Sequence, residues 1–235
     1  MPSGLTVALF RARDEARASA SLLAGRGIVA ALAPVTELAA TGAAPPQGDF
    51  DFTVATSAQA LALASPAALA ALAGTPLYVV GGKTAAAAAR AGVKTAATAS
   101  DVAALVPVLP GGRGLYLAGR DRKPDLEAAL GERVAVVVVY EARARAGWDE
   151  EEARGVAEAA AALHYSERSA ELALRFAEAA GHAAAFRRLP HVCISRAVAG
   201  RVAESGAKRV MFPHKPTQEP LFDALEAALA DYGRG

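Results

Sequence analysis

The sequence has very little cysteine, few aromatic residues and almost no net charge, and these shortages exclude several classes of protein. Cys193 is the only cysteine in 235 residues, so no intrachain disulfide or cysteine-based metal site can form, which favours a reducing cytoplasm. The formal net charge is +1, so no broad basic surface indicates nucleic-acid binding. The longest pure β-branched run, Val136–Val139, is far too short to cross a bilayer. Arginine appears too early in MPSGLTVALFRAR for a signal peptide.

What the sequence does contain is a regular alternation of short apolar strands and helical stretches. The hydrophobic fraction is 53%, which is enough for a substantial core. Strands are predicted, among others, at Thr6–Phe10, Phe52–Ala55, Leu77–Val80 and Val134–Tyr140. A single helix is expected to follow Ser57 and to reach about Ala73. Strands that alternate with helices of this length predict βαβ units and parallel sheets.

An internal repeat indicates two related α/β halves, each with its own sheet. The stretch VATSAQALALA…LYVVGGKTAAAAARAGVK resembles LHYSERSAELALRFA…HVCISRAVAGRVAESGAK in the order of strands, serines and glycines. Two strands precede the first half, so we expect a discontinuous domain, residues 1–37 with 143–235, and an inserted domain of residues 38–142. The linkers are predicted at Ala39–Gly48 and Glu141–Gly147, crossing side by side.

Hydroxyls, glycines and cations follow nearly every predicted strand, whereas acids are few there. Ligands bind at the carboxyl ends of strands in open α/β sheets, and helix starts favour anions. Two such faces opposed across a hinge would form a cleft for a polyanion. For any one residue, the alternative is a helix cap or a solubilising charge with no ligand. The candidate binding residues are Arg11, Ser57, Gly82, Thr84, Gly119, Ser166 and Ser195.

Other chemistry is poorly supported by the residues. Gly82-Lys83-Thr84 ends like a phosphate loop, but Leu77 stands where that motif needs its first glycine. Neither Ser57 nor Ser166 lies in a Gly-x-Ser-x-Gly elbow, so a hydrolase is weakly indicated. The four histidines have no metal-ligand spacing, so no metal is expected. Tyr140, at the end of an apolar strand, is either an interface residue or a phenolic proton donor.

In order along the chain, a series of weak motifs resembles the uroporphyrinogen-III synthase family. The matching pieces are FRARDEA, LAGRGIVAALAPV, DFTVATSAQAL, LYVVGGKTAAAAARAG, GLYLAGRDRKPDLEAAL, VVVVYEA, LHYSERSAEL and HVCISRAVAGRVAESGAKRV. The resemblance implies two flavodoxin-like α/β domains, one inserted in the other, joined by a two-stranded linker. It also implies that hydroxymethylbilane, a linear tetrapyrrole with eight carboxylates, loses its terminal hydroxyl and closes with inversion of ring D, without a cofactor or metal.

The resemblance also carries roles over to individual positions. It assigns Tyr140 as proton donor to the leaving hydroxyl, with bound water or the substrate's own carboxylates as the alternatives. The chain departs from the family at Val198-Ala199, where a threonine is usual, and at Glu167, where proline is usual. An acid at 167 is unfavourable for a carboxylate substrate unless Arg168 or the helix start offsets it. The hydroxyl positions that match the family are Ser57, Thr84 and Ser166.

Two alternatives to this enzyme follow from the same fold. A non-catalytic two-domain binding protein would have the same architecture and hinge. A nucleotide-binding switch would instead be stabilised by ATP or GTP with magnesium. The near-neutral charge and the lack of an obvious exposed apolar face favour a monomer.

Overall fold

The computed structural model describes residues 5–232, and its chain divides into two compact units. Unit 1 comprises Met1–Glu37 and Arg143–Gly235, and unit 2 comprises Leu38–Ala142. Residues 1–4 and 233–235, which the sequence assigns to the discontinuous domain, lie outside the described residues.

Short strands and helices alternate through both units, as the sequence pattern predicts. The strands are β1 (Thr6–Leu9), β2 (Val29–Leu32), β3 (Thr36–Ala40), β4 (Phe52–Ala55), β5 (Leu77–Val80), β6 (Thr95–Ala99), β7 (Gly114–Gly119), β8 (Val134–Ala144), β9 (Ala161–His164), β10 (His191–Cys193) and β11 (Val210–Met211). The helices are α1 (Arg13–Ala24), α2 (Ala58–Ala62), α3 (Pro66–Ala70), α4 (Gly82–Arg90), α5 (Val102–Leu105), α6 (Asp125–Leu130), α7 (Glu150–Ala157), α8 (Glu167–Ala179), α9 (Ala183–Arg188), α10 (Arg196–Glu204) and α11 (Gln218–Tyr232).

The sheet of unit 1 has five parallel strands in the order β2-β1-β9-β10-β11. In chain order within the unit this is 2-1-3-4-5, the flavodoxin-like arrangement. The order reverses between β1 and β9, so the segments that follow these two strands flank the switch point where ligands bind in such sheets. In unit 1, the residues after Leu9 and after His164 are therefore the candidates for ligand binding.

The sheet of unit 2 has the order β3-β8-β7-β4-β5-β6, and strands β4 to β8 run parallel. The Thr41 amide donates to the Val139 carbonyl, and the Arg145 amide donates to the Val35 carbonyl. Residue numbers thus rise along β3 while they fall along β8, so this edge pair is antiparallel. The two crossings between the units therefore lie in one two-stranded segment. The parallel order reverses between β4 and β7.

Each sheet is covered on both faces, because successive strand residues contribute to opposite cores. In β1, Val7 and Leu9 pack into one cluster, whereas Ala8 and the next residue after the strand, Phe10, pack into another. All four residues of β4 are buried, as expected for a central parallel strand. Packing of the apolar faces stabilises each sheet, and the loops that carry the candidate site residues follow the carboxyl ends of the strands.

The elements differ from the sequence prediction in several places, and the short helices α5 and α9 are among those that the sequence did not predict. The helix predicted up to Ala73 is broken, because Ser65 caps a new helix that begins at Pro66, and a residue before proline avoids helical geometry. Strands β3 and β6 were not predicted, since their sequences TELAA and TAATA lack an apolar run. Strand β8 continues past Tyr140 to Ala144, because β3 supplies backbone partners along its end.

Candidate active site

The residues predicted to form the site all lie at the carboxyl edges of the two sheets. Because neighbouring strands are parallel, the residues that follow them share one edge of each sheet. The edge of unit 1 carries Arg11, Ser166 and Ser195, and the edge of unit 2 carries Ser57, Gly82, Thr84, Gly119 and Tyr140.

The three predicted serines cap the helices that follow their strands. The Ser166 hydroxyl oxygen accepts a 3.1 Å hydrogen bond from the Ser169 amide, and the hydroxyl donates to the Ser169 hydroxyl at 2.9 Å. Ser195 accepts from the Val198 amide at 3.4 Å, and Ser57 accepts from the Gln59 amide at 3.2 Å. Each hydroxyl therefore stabilises its own helix start, and the positive end of the helix dipole lies at the sheet edge.

The start of α4 differs, because Gly81 caps it without a side chain. Gly81 has φ +81°, a backbone conformation that favours glycine. Gly82 and Lys83 are exposed in the first turn, whereas Thr84 is only 3% exposed. No described residue hydrogen-bonds to the Thr84 hydroxyl. The amides of the first turn, rather than side chains, are thus the most accessible anion-binding groups here.

Arg11 is held by protein groups on the edge of unit 1. Its guanidinium forms an ion pair with Glu15 at 2.9 Å and donates to the Ser19 hydroxyl at 3.2 Å. It also lies over the ring of Tyr165, 4.1 Å from the centroid. These contacts fix a positive charge beside Ser166 and neutralise part of it through Glu15.

Tyr140 lies on the edge of unit 2, with its phenol ring directly over Gly119. A Cβ placed on Gly119 would be 2.5 Å from the Tyr140 Cζ and 2.7 Å from its hydroxyl oxygen. The ring also packs against the buried cluster that includes Val137 and Val139. Tyr140 is only partly buried, so its hydroxyl is anchored by packing while the residue retains solvent exposure.

A second tyrosine at this edge was missed by the sequence analysis. Tyr116 is 2% exposed, and its hydroxyl shares a 2.7 Å hydrogen bond with the Thr56 hydroxyl. Burial raises the pKa of the Tyr116 phenol, so it stays protonated at neutral pH. The available signal was the aromatic residue inside GLYLAG, a strand otherwise made of small and aliphatic residues. Its bond to Thr56 fixes the start of the turn that contains Ser57.

Two of the four histidines form a buried pair in unit 1. His191 Nε2 is 2.9 Å from the Phe186 carbonyl, which can only accept, so this nitrogen carries the proton. His191 Nδ1 then accepts from His164 Nε2 at 2.9 Å, which leaves His164 Nδ1 as a buried acceptor without a described partner. Burial lowers the pKa of both imidazoles, that of His191 to about 4, so both are neutral core residues.

The described residues contain no cluster of three or more acidic, histidine or cysteine side chains that could hold a metal ion. Within residues 5–232 there is also no helix long and apolar enough to span a membrane. The lone thiol, Cys193, is buried in β10, and burial raises its pKa to about 12. Because that thiol stays protonated, it offers no nucleophile to the site.

Comparisons with known proteins identify a family and similar solved structures. Residues 17–223 match the family model described as uroporphyrinogen-III synthase HemD. The uroporphyrinogen-III synthetase structure from Helicobacter pylori 26695 is 19% identical, with a TM-score of 0.50 over 83% of this chain and 92% of that chain. The wild-type uroporphyrinogen III synthase structure from the extremely thermophilic bacterium Thermus thermophilus is 22% identical, with a TM-score of 0.39 over 97% and 99% of the two chains. No curated protein sequence matches the chain significantly.

The family model covers most of the chain, including the whole sheet of unit 2, but it begins after β1 and Arg11 of unit 1. The structural likeness to the Helicobacter pylori enzyme independently shows the two-sheet α/β fold. The chain therefore belongs to the uroporphyrinogen-III synthase family, the hydro-lyases that cyclise hydroxymethylbilane to uroporphyrinogen III in tetrapyrrole biosynthesis.

Proposed function

We propose that this chain performs its family's reaction with Tyr140 as proton donor and with the carboxyl edges of its two sheets as the substrate-binding surfaces. The reaction removes the terminal hydroxyl of hydroxymethylbilane as water, inverts ring D through a spiro intermediate and closes the macrocycle. The observation that carries the activity is the family match over residues 17–223. The assignments of individual residues rest on where these residues lie.

The substrate has eight carboxylates, so the binding groups must favour negative charge without a strong ionic cage. The helix starts at both edges meet this need, because their amides and dipoles attract anions. Arg11 adds a positive charge that Glu15 partly offsets. The proposed substrate-binding residues are Arg11, Ser57, Gly82, Thr84, Gly119, Ser166 and Ser195.

Within the edge of unit 2, the first turn of α4 is the strongest candidate for carboxylate binding. Its cap, Gly81, has no side chain, so nothing from the cap residue occupies the space in front of the Gly82 and Lys83 amides. Thr84 is nearly buried, so its hydroxyl would contact only a carboxylate seated directly on this turn. Lys83 is exposed and contributes a surface charge rather than a required ligand.

Tyr140 is proposed to donate its phenolic proton to the leaving hydroxyl. Loss of that hydroxyl as water needs a proton on its oxygen, and a positioned side-chain acid supplies it during bond cleavage. The azafulvene cation that remains is highly reactive, and uncatalysed closure gives the uninverted isomer. The protein must therefore hold rings A and D in the inverting geometry, which requires positioning more than strong acids or bases.

Isomer analysis tests the proposed activity directly. Freshly prepared hydroxymethylbilane is incubated with the purified chain, the products are oxidised, and the porphyrin isomers are separated by chromatography. We expect the type III isomer in large excess over the type I isomer that forms without enzyme. Type I product alone would contradict the enzymatic assignment and favour a non-catalytic ligand-binding protein of the same fold.

We further propose that the protein is a cytoplasmic monomer that needs no cofactor. The single cysteine is buried, and the net charge of +1 provides no broad electrostatic surface for nucleic acid. Size-exclusion chromatography with light scattering should give the mass of one 23.8 kDa chain. A stable dimer would contradict the monomer, and activity lost on dialysis against a chelator would contradict the absence of a metal.

A further inference from the structure

Gly119 lies at the carboxyl edge of unit 2, directly against the side chain of the proposed proton donor, Tyr140. The space that its Cβ would occupy is filled by the Tyr140 ring, with three ring or hydroxyl atoms between 2.5 and 2.8 Å from that position. Real Cβ atoms do not approach neighbours this closely, so any larger residue at 119 must displace the phenol. Gly119 is also buried, as are all residues of β7.

The backbone opposite Gly119 is irregular in a way that explains the position of the ring. Ala118 pairs with Val138, but Gly119 pairs with Tyr140, so Val139 is an extra residue in β8. Consecutive residues of a regular strand face opposite sides of a sheet. Here Val139 and Tyr140 both pack against the same buried cluster. The bulge therefore turns the Tyr140 side chain onto the Gly119 face, as bulges next to active sites often do.

One hydrogen bond joins the two backbones at this point, and two more hold the Gly119–Arg120 segment itself. The Arg120 amide donates to the Tyr140 carbonyl at 2.9 Å. The Arg122 guanidinium donates to the Gly119 carbonyl at 3.1 Å and to the Arg120 carbonyl at 3.3 Å. Glu127 holds the same guanidinium through a 2.6 Å ion pair. The Gly119–Arg120 segment is therefore braced from two sides.

We propose that Gly119 is a positioning residue that acts through Tyr140: it accommodates the phenol ring, and the bulge and Arg122 fix where the hydroxyl points. This inference rests on the proposed role of Tyr140 and adds to it what sets the geometry of the donor. A displacement of about 1 Å at a reacting group can lower the rate about 100-fold. A larger residue at 119 keeps the backbone groups through which Gly119 would contact substrate, so we expect it to impair the chemical step far more than substrate binding.

Gly119→Ala, examined with 3-fluorotyrosine labelling and steady-state kinetics, tests the proposal. The chain has five tyrosines, and the Tyr140 resonance is the one that disappears from the fluorine spectrum of Tyr140→Phe. We expect Gly119→Ala to shift that resonance and to lower kcat about 10- to 100-fold with little change in KM. In the Tyr140→Phe background the same substitution should cause no further loss of kcat, because the two residues act as a unit.

The other end of the same strand offers a matched control. A Cβ on Gly114 would be 2.3 Å from the Phe52 ring, so Gly114→Ala creates a comparable clash with an aromatic ring at the amino end of β7. Phe52 is fully buried, so Gly114→Ala should destabilise the fold at least as much as Gly119→Ala does, but leave the Tyr140 resonance and kcat unchanged. An equal loss of kcat in both variants would show a general packing effect and overturn the inference.

The inference and the proposed function fail in different ways. Suppose that Tyr140→Phe slows turnover, whereas Gly119→Ala shifts the Tyr140 resonance but leaves turnover unchanged. The positioning role of Gly119 is then wrong, and the role of Tyr140 as proton donor stands. If Gly119→Ala lowers kcat further in the Tyr140→Phe background, Gly119 does not act through the phenol. If Tyr140→Phe keeps the full rate, the donor role itself is wrong.

A second variant keeps the test decisive if Gly119→Ala does not fold. Arg122→Lys retains the positive charge beside Glu127 but cannot donate in the same geometry to both carbonyls. We expect a shifted Tyr140 resonance and a several-fold lower kcat, a smaller effect than that of the glycine variant. An unshifted Tyr140 resonance with a normal kcat would contradict the proposal that Arg122 helps to fix the position of the Tyr140 hydroxyl.

Discussion

The carboxyl edges of the two sheets have similar helix starts but different side chains beneath them. In unit 1, Ser166 and Ser195 cap the helices that follow β9 and β10, and the buried His164–His191 pair lies in those strands. In unit 2, Ser57 and Gly81 begin the helices that follow β4 and β5, and the phenols of Tyr116 and Tyr140 come from β7 and β8.

This difference assigns different chemistry to the two edges. Unit 1 offers hydroxyls, helix dipoles and arginines, among them Arg11, whose charge Glu15 partly neutralises, and these groups suit the binding of carboxylates. Unit 2 offers the same kind of helix start together with a partly exposed phenol, Tyr140, that can transfer a proton. The histidines of unit 1 that form the pair are neutral and enclosed, so they provide a structural element rather than an acid or base. Three predictions test this contrast, from the largest expected effect to the smallest.

The largest expected effect is an acid sensitivity confined to unit 1. All four histidines lie in this unit, and burial lowers the His191 pKa from 6.5 to about 4 and the His164 pKa well below 6.5. Between pH 6.5 and 4 the unfolded chain binds more protons, so stability falls as the pH falls, by about 3 kcal/mol for His191 alone. Hydrogen exchange compared at pH 7 and pH 5, after correction for intrinsic rates, should show unit 1 opening first.

The matched variant for this prediction is the double substitution His164→Phe with His191→Leu. It removes both members of the hydrogen-bonded pair, so no buried donor of the pair is left without its partner. The stability of unit 1 should then depend much less on pH over this range. If wild-type unit 1 showed the same exchange protection at both pH values, the neutral buried pair would be the wrong description.

The second prediction compares one tyrosine from each edge. Tyr140→Phe should lower kcat about tenfold or more, because it removes the proposed proton donor while retaining the ring. Tyr165→Phe should keep the full rate, since its hydroxyl is enclosed and has no partner among the described residues. Tyr165→Phe should also leave the free energy of unfolding unchanged or raise it slightly. Steady-state kinetics and thermal unfolding of both variants measure these effects. Equal kcat values in the two variants would contradict the assignment of proton transfer to the edge of unit 2.

The smallest expected effect concerns the serine caps. Ser166→Ala should cost about 1 kcal/mol of stability, because α8 loses its cap. Ser57→Ala should cost less, since α2 has only five residues to stabilise. Denaturant unfolding measures both changes.

Ser166→Asp separates the capping role from substrate binding. Aspartate caps helices as well as serine does, so stability should return, while the added charge should raise KM for a carboxylate substrate. A normal KM would indicate that Ser166 does not face the substrate.

Much of this architecture could be predicted from local sequence signals. The apolar runs at Phe52–Ala55 and Leu77–Val80 form strands with the predicted bounds, because β4 is buried on both faces and β5 is buried on one face and half-buried on the other. Serine after a strand marks the capped helix start at Ser166 and Ser195. The family resemblance stated from the order of weak motifs is confirmed by the family match. The roles of the individual site residues stay predictions.

Other features lay beyond local signals. Strands β3 and β6 are paired edge strands that carry no apolar run, so only their partners make them strands. In the sequence, Tyr116 resembles an ordinary core residue, and only the fold brings its hydroxyl beside that of Thr56. The two buried histidines have unremarkable spacing in the chain, 27 residues apart, and meet only because β9 and β10 are neighbours.

The sequence by itself determined the alternation of strands and helices, the capped helix starts and the family, because these depend on periodicity, residue propensity and the order of motifs along the chain. The tertiary structure decided the strand order, the bulge opposite Gly119 and the place of the Tyr140 phenol over that glycine. These depend on backbone pairing and van der Waals exclusion between residues that are distant in the chain. A glycine that follows a strand in sequence thus becomes, once folded, the residue against which the proposed proton donor is packed.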